Sequence, residues 1–274
     1  MHEIYLVKKE EKMEFFSILF KNRKLAIQLG KNDFRNRFAS TSLGTVWGFL
    51  QPFVFMITYV IVFQYILKTG SSGEYPYVVW FLPGMSMWMF CSDAILTASN
   101  SIRNYSYLVK KVVFPVDIIP IISLTSASFI GVFLILIAIV VSSLFGYVPN
   151  FFNVIYILFC AICLIIAITR FTSALTTLVP DFAQLLTIVI QLCMWFTPII
   201  WNLNMLSENV SKFFKAFPFT YLVEGFRQAF MENSTIITEN NFLYTGIFWL
   251  ITLIIFIWGN AIFKKNKKDF ADVL

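Results

Sequence analysis

Apolar residues in this chain come in long uninterrupted runs, too long for the alternation of a half-buried strand or the single stripe of a surface helix. No charge occurs between Arg37 and Lys68, and 52 consecutive residues, 118–169, carry none. A spanning helix needs about 20 mostly apolar residues, because hydrocarbon offers no hydrogen-bond partner to a peptide group. The 52-residue run is too long for one such helix, and Gly146-Tyr147-Val148-Pro149-Asn150 is a turn signal near its middle. The pattern therefore predicts six spans, at about 44–67, 77–101, 118–145, 151–170, 182–201 and 242–263. The fold class is an all-α integral membrane protein. A segment of residues 1–43 precedes the six-helix domain (44–263), and a basic tail of 264–274 follows it.

Charge sets the orientation. Of the 21 Lys and Arg residues, seventeen fall in segments that six spans would place on one side of the bilayer, and four fall on the other. The positive-inside rule puts both termini in the cytoplasm, as an even number of spans requires. Residues 13–20 and 23–38 read as helical, with Gly30 as a break point. Leu25 and Leu29 share one side of the second stretch, while Ile27, Phe34 and Phe38 lie nearly opposite. An interfacial helix on the membrane and a segment packed on protein both remain open. The loop 101–117 joins aromatic, basic and apolar residues within one helix length, as either a solvated turn or a docking helix. Between spans five and six, 202–241 holds Phe213, Phe214, Phe217, Phe219, Phe226 and Phe230 but is broken by Pro218 and Gly225. A pair of short re-entrant helices or a folded external cap would suit it.

Composition agrees. The 274 residues are 58% hydrophobic and 13% charged, about half the charge of an ordinary soluble domain, and mean hydropathy is +0.76. The net charge of +6 follows the membrane-proximal bias and does not point to nucleic acid. Cys91, Cys160, Cys163 and Cys193 lie inside apolar runs and read as buried thiols, despite the Cys160-x-x-Cys163 spacing. The single histidine, His2, gives metal or triad chemistry almost no material. Over forty polar and mixed residues precede the first long apolar run, so no cleavable signal peptide is expected. A phosphate loop is absent: the one Gly-Lys pair, Gly30-Lys31, has Leu25 five residues earlier and Asn32 after it. Asp93 is the acid well inside a span, either functional or a polar contact between helices. Arg170 and Asp181 flank one inner loop and are candidates to pair.

Five stretches in chain order resemble the membrane subunit of ABC-2-type exporters of lipid-linked polysaccharides, the O-antigen, capsule and teichoic acid permeases. They are Lys31-Asn-Asp33-Phe-Arg35-Asn-Arg37 leading to Leu43-Gly44-x-x-Trp47 and Gln51-Pro52; Asn104-x-x-x-Leu108-x-Lys110-Lys111-x-x-Phe114-Pro115; Asp181 and Gln184 with Phe196-Thr197-Pro198-Ile199; Phe217-Pro218-Phe219-Thr220 with Val223-Glu224-Gly225-Phe226-Arg227; and Asp269-Phe270-Ala271-Asp272-Val273-Leu274. Phe217 stands where the family commonly has Asn.

The resemblance implies a homodimer in a bacterial cytoplasmic membrane, joined to two copies of a cytoplasmic ATPase subunit that binds the ATP and Mg. This chain would then hold no catalytic residue, metal or cofactor and bind no nucleic acid. It also implies a coupling helix at about 103–111, with Arg103, Asn104, Tyr105, Tyr107, Leu108, Lys110 and Lys111 facing the ATPase. The external gate would occupy about 202–241, with Pro198, Phe217, Pro218 and Arg227 at it. Trp47, Tyr59, Trp80, Trp88, Trp195 and Trp201 are the candidate rings along a glycan path, and Arg35 and Arg37 the candidates for the pyrophosphate of a lipid-linked donor. The alternatives are an ABC-2 permease for a drug or simple lipid, a membrane-embedded glycan-lipid transferase and an ion-coupled carrier. The last two need catalytic or ionisable clusters that the sequence does not offer.

Overall fold

Without water, the peptide groups of an apolar run can be satisfied only by closing on themselves, so the runs become helices. The computed structural model describes residues 15–66, 75–110, 114–231 and 239–274. Two helices, α1 (Phe15–Lys21) and α2 (Arg23–Arg37), precede the first span, α3 (Val46–Val60), which ends in a π-helical turn at Ile61–Ile66. Span two is α4 (Tyr77–Ser99), followed by two short turns, α5 (Ser101–Asn104) and α6 (Ser106–Val109). The hairpin α7 (Ile119–Leu144) and α8 (Phe151–Leu178) comes next, then α9 (Phe182–Phe196). Beyond it lie α10 (Glu208–Lys215), α11 (Pro218–Met231), the last span α12 (Glu239–Asn266) and a tail turn α13 (Phe270–Val273).

Five of these helices are long and apolar enough to cross a membrane; the sixth apolar helix, α9, is shorter. Its 15 residues reach about 22 Å at 1.5 Å per residue, short of a hydrocarbon core of about 30 Å. The expected span 182–201 is therefore helical only to Phe196. Pro198 holds Thr197 extended (φ −83°, ψ 134°), and the chain leaves the helix there. Span four runs the other way: α8 continues eight residues beyond the expected end at Arg170. Thr172 and Thr177 return their hydroxyls to carbonyls one turn back, so the polar side chains do not interrupt the helix. Thr172 also meets Ser99 of α4 at 2.5 Å.

At the centre lies α4, apolar all round and with 18 of its 23 residues buried. It packs against α7, α8, α9, α11 and α3. The turn signal at Gly146 is a tight turn with φ +88°, a conformation glycine adopts without strain. Gly30 does not break α2. It is buried where α2 lies along α7, and a Cβ there would come within 2.7 Å of Thr125. Thus α2 packs on protein through Ala26 and Gly30 and turns Leu25, Ile27, Arg23, Lys24, Lys31 and Arg35 outward. The Gly44-x-x-x-Gly48 spacing serves the chain itself: Gly44 forms the turn into α3 (φ +55°) and Gly48 admits the Phe38 ring.

Among the described glycines, Gly131 of α7 leaves the least room: a Cβ there would sit 2.2 Å from Phe90 of α4. Gly131→Ala is expected to lower thermal stability in detergent by about 1–3 kcal/mol through overpacking, whereas Gly246→Ala, which meets nothing within 4 Å, should leave it unchanged or slightly higher. Equal midpoints for both variants would show that this contact is not tight.

Candidate functional site

The central helix gives the molecule two ends, about 33 Å apart for its 23 residues. Near Ser99 gather α1, α2, the start of α7, the end of α8 and the end of α12. Near Trp80 gather the end of α7, the start of α8, the end of α9, and α10, α11 and the start of α12. The described residues nearest both termini therefore share one end with the segment 101–117: Phe15 and Lys267 both reach residues there.

At that end, the expected single coupling helix is two four-residue turns broken at Tyr105 (φ −106°, ψ 29°). At the break the Tyr105 hydroxyl donates to the Asp33 carboxylate of α2. Burial and this carboxylate push the phenol well above its usual range, so it stays a donor. Leu108 and Val109 are buried, while Arg103, Asn104, Tyr107 and Lys110 are exposed. One face of the segment is bolted to the bundle and the other presents two cations and an aromatic ring. Lys111 lies outside the described residues.

Directly behind it is a charge cluster that the sequence reading assigned differently. Arg170, 1% exposed, donates from Nη2 to Asp117 Oδ1 at 2.9 Å and Asn260 Oδ1 at 2.8 Å. Lys267 takes the other Asp117 oxygen at 2.6 Å. The Arg170 guanidinium carbon lies 3.7 Å from the Phe263 ring centroid and 4.6 Å from that of Phe15. One buried carboxylate thus holds α8 to the root of α7 and the C-terminal tail. The expected partner Asp181 is exposed at the start of α9, three residues past the end of α8. A signal did exist: Asp117 and Arg170 bracket the uncharged run, and folding that run into a hairpin brings its two flanks together.

At the opposite end Arg227, 2% exposed, binds four groups. Nε donates to Trp80 O at 2.8 Å, Nη1 to Glu224 at 2.5 Å, and Nη2 to Pro198 O and Ile199 O at 3.1 and 3.2 Å. Its guanidinium also stacks on Trp80, 3.7 Å from the centroid. The non-helical stretch after α9 owes its satisfied carbonyls to this side chain, and α11 is fixed by it to α4. Tyr75 and Asn150 bind the Met231 and Ala229 carbonyls at the far end of α11, at 2.9 and 2.8 Å. Of the expected gate residues, Pro198 and Arg227 meet here, while Phe217 and Pro218 form the corner between α10 and α11.

The six candidate rings do not form one file. Trp80 and Trp88 are buried, and Tyr59 stands in an aromatic column with Phe63, Phe81 and Tyr77. Trp47 on α3 and Trp195 on α9 are exposed, and Trp201 Nε1 donates to Trp195 O at 3.0 Å. Arg35 is exposed, whereas Arg37 forms a two-point ion pair with Asp93 at 2.8 and 3.3 Å. Asp93 is thus a contact between α2 and α4. Among the described residues, no three His, Cys, Asp or Glu side chains group to hold a metal ion.

The profile of the ABC-2 type transporter family matches residues 25–231. Over 257 residues, 91% of this chain and 95% of the relative, the sequence is 28% identical to the O-antigen export system permease protein RfbA of Klebsiella pneumoniae. A second protein of that name from the same organism is 25% identical over the same length. One from Myxococcus xanthus is 19% identical over 259 residues, 93% of this chain and 96% of that one.

Removing one partner of a buried ion pair costs about 3–5 kcal/mol, more than replacing both. Arg170→Leu should therefore destabilise the chain by about that much, and adding Asp117→Leu should recover part of the loss, measured by denaturant titration in mixed micelles. Losses that simply add would show that the two side chains are not coupled.

Proposed function

The chain belongs to the ABC-2 type transporter family, and from that premise we propose that it is the transmembrane subunit of a polysaccharide exporter driven by a separate ATP-hydrolysing subunit. Relatives that match it nearly end to end carry O-antigen export names. The observation that carries the mechanism is the two-faced segment 101–110. Its inner face is held by Tyr105–Asp33 and by buried Leu108 and Val109; its outer face offers Arg103, Asn104, Tyr107 and Lys110. A push on that face reaches α2 through Tyr105. It also reaches the start of α7, where Asp117 ties α7 to α8 and the tail. The family implies an ATP-binding-cassette ATPase as partner, and ATP with its Mg would bind there.

We place this end in the cytoplasm, because it holds most of the basic residues, and the membrane as the bacterial cytoplasmic membrane. The cargo we assign is a lipid-linked glycan. The exporter would be a homodimer with two ATPase copies, since the buried α4 leaves no room for a polymer through one bundle. The paths open to it lie along α3 and α9, whose apolar faces, including Trp47 and Trp195, are uncovered. Arg35 is free to meet a pyrophosphate headgroup, whereas Arg37 would have to leave Asp93. In this reading α10 and α11 re-enter the outer leaflet as a gate. One observation favours a simple lipid as cargo instead: an apolar cleft of about 400 Å³ between α8, α9 and α12, lined by Phe171, Leu186, Ile254 and Trp258, suits an acyl chain.

In vesicles holding the two-subunit complex, glycan-lipid should stimulate ATP hydrolysis and a simple phospholipid should not; the reverse would favour the lipid reading. The pair Tyr107→Ala and Lys110→Ala is expected to cut stimulated hydrolysis about tenfold or more, equivalent to about 1.4 kcal/mol of coupling, with the chain still folded. Undiminished stimulation would remove the coupling role. Arg35→Gln should weaken stimulation without altering the melting temperature, while Arg37→Gln should lower both.

A further inference from the structure

A cavity of about 330 Å³ opens at the gate end, between the stretch after α9, the helix α11 and the first turns of α4 and α12. Its size is at the small end of ligand pockets, about 300–1,000 Å³. We propose that it is a saccharide-binding chamber that holds one pyranose unit of the glycan beside the gate. The proposal takes its ligand from the exporter reading above, but it stands or falls on binding alone.

The chemistry of the wall carries it. Asn204 and Gln228 each bring a carbonyl acceptor and an NH₂ donor, the combination that pairs with neighbouring sugar hydroxyls. Tyr244 supplies aromatic surface for the C–H faces of the ring, while Trp80 borders the cavity with one face covered by Arg227. Thr220 also borders the cavity; it is fully buried, and its hydroxyl has no partner among the described residues. A buried hydroxyl without a partner costs free energy until something binds it. Of the charges in the wall, Glu224 and Arg227 pair with each other, and the exposed Lys215 adds a cation able to donate to a sugar hydroxyl. Arg227 is fully engaged by Glu224, three carbonyls and the Trp80 ring, so it offers no open anion site. An acyl chain would have to desolvate these amides for no return.

The test uses the full-length chain in phospholipid nanodiscs, because maltoside detergents carry sugar headgroups of their own. The probes are the methyl glycosides of glucose, galactose, mannose, rhamnose and N-acetylglucosamine, with inorganic phosphate and phosphocholine as the competing classes, read by saturation-transfer NMR. At least one glycoside should bind, and Asn204→Ala, Gln228→Ala and Tyr244→Ala should each weaken it about three- to tenfold, the range expected for losing one hydrogen bond or ring contact. Leu253→Ala, on the exposed face of α12, should leave the Kd unchanged. Failure of every glycoside to bind, binding that the three variants do not alter, or phosphate binding in their place would each overturn the chamber. Sugar binding without glycan-stimulated ATP hydrolysis in the complex would uphold the chamber and remove the exporter reading. Stimulated hydrolysis with binding unaltered in all three variants would do the reverse.

Discussion

Hydrocarbon has no acceptor to offer a guanidinium, so an arginine among apolar helices draws to itself whatever acceptors the chain can bring. Three arginines do so here. Arg170 gathers Asp117, Asn260 and two phenylalanine rings. Arg227 gathers Glu224, the Trp80 ring and the carbonyls of Trp80, Pro198 and Ile199. Arg37, half-buried, takes Asp93. In each case elements distant in sequence are held together: α8 to the root of α7, α11 to the end of α9, α2 to α4. Apolar packing alone is non-directional and would permit sliding between these helices; the charged groups set their register.

Placement matters as much as number. Arg170 and Arg227 stand at opposite ends of the bundle, each against a segment that is not a spanning helix. Near Ser99 it is the turn at Asp117 that leads into α7, with the tail held beside it by Lys267. Near Trp80 it is the stretch after α9, with α11. Between them α4 is buried along most of its length, so a displacement at one end has a close-packed column through which to travel. That contiguity makes a lever at 101–110 physically reasonable, because a loop tethered only by its own backbone would absorb the push.

Much of the fold could be read from hydropathy because a bilayer leaves the chain few alternatives. The hairpin of α7 and α8 turned at Gly146, and the helices between spans five and six fell where Pro218 and the phenylalanines placed them. The ends of α8 and α9 were misjudged for opposite reasons. Charge at Arg170 suggested an exit from the membrane, yet its partners lay at the root of α7 and on α12, and Thr172 and Thr177 could satisfy themselves within the helix. Apolar character after Phe196 suggested more helix, but Pro198 ended it and the freed carbonyls found Arg227. Both errors concern pairings between distant residues, which a hydropathy window cannot register. Gly30 is similar: locally a helix breaker, it is needed where α2 approaches Thr125.

The spans differ in how firmly they are held, and this bears on where a wide cargo could pass. The helices α4, α7, α8 and α11 share one apolar core, whereas α3 and α9 leave Leu50, Val54, Phe55, Leu185, Val189 and Leu192 uncovered. These two also depart most from regular spanning helices. One ends in a π-helical turn and the other stops at 15 residues and continues as irregular chain. Each buries few residues of its own, Gly48 and Met56 in one and Leu186 and Ile190 in the other. Moving either sideways would break fewer packing contacts than moving a core helix, and in lipid it is packing and interhelical hydrogen bonds, not exclusion of water, that hold helices together. In the proposed dimer a path for a polymer would therefore open at the least cost along α3 and α9. The arginine-fixed core would remain intact, and Trp47 and Trp195 would stand where the polymer passes.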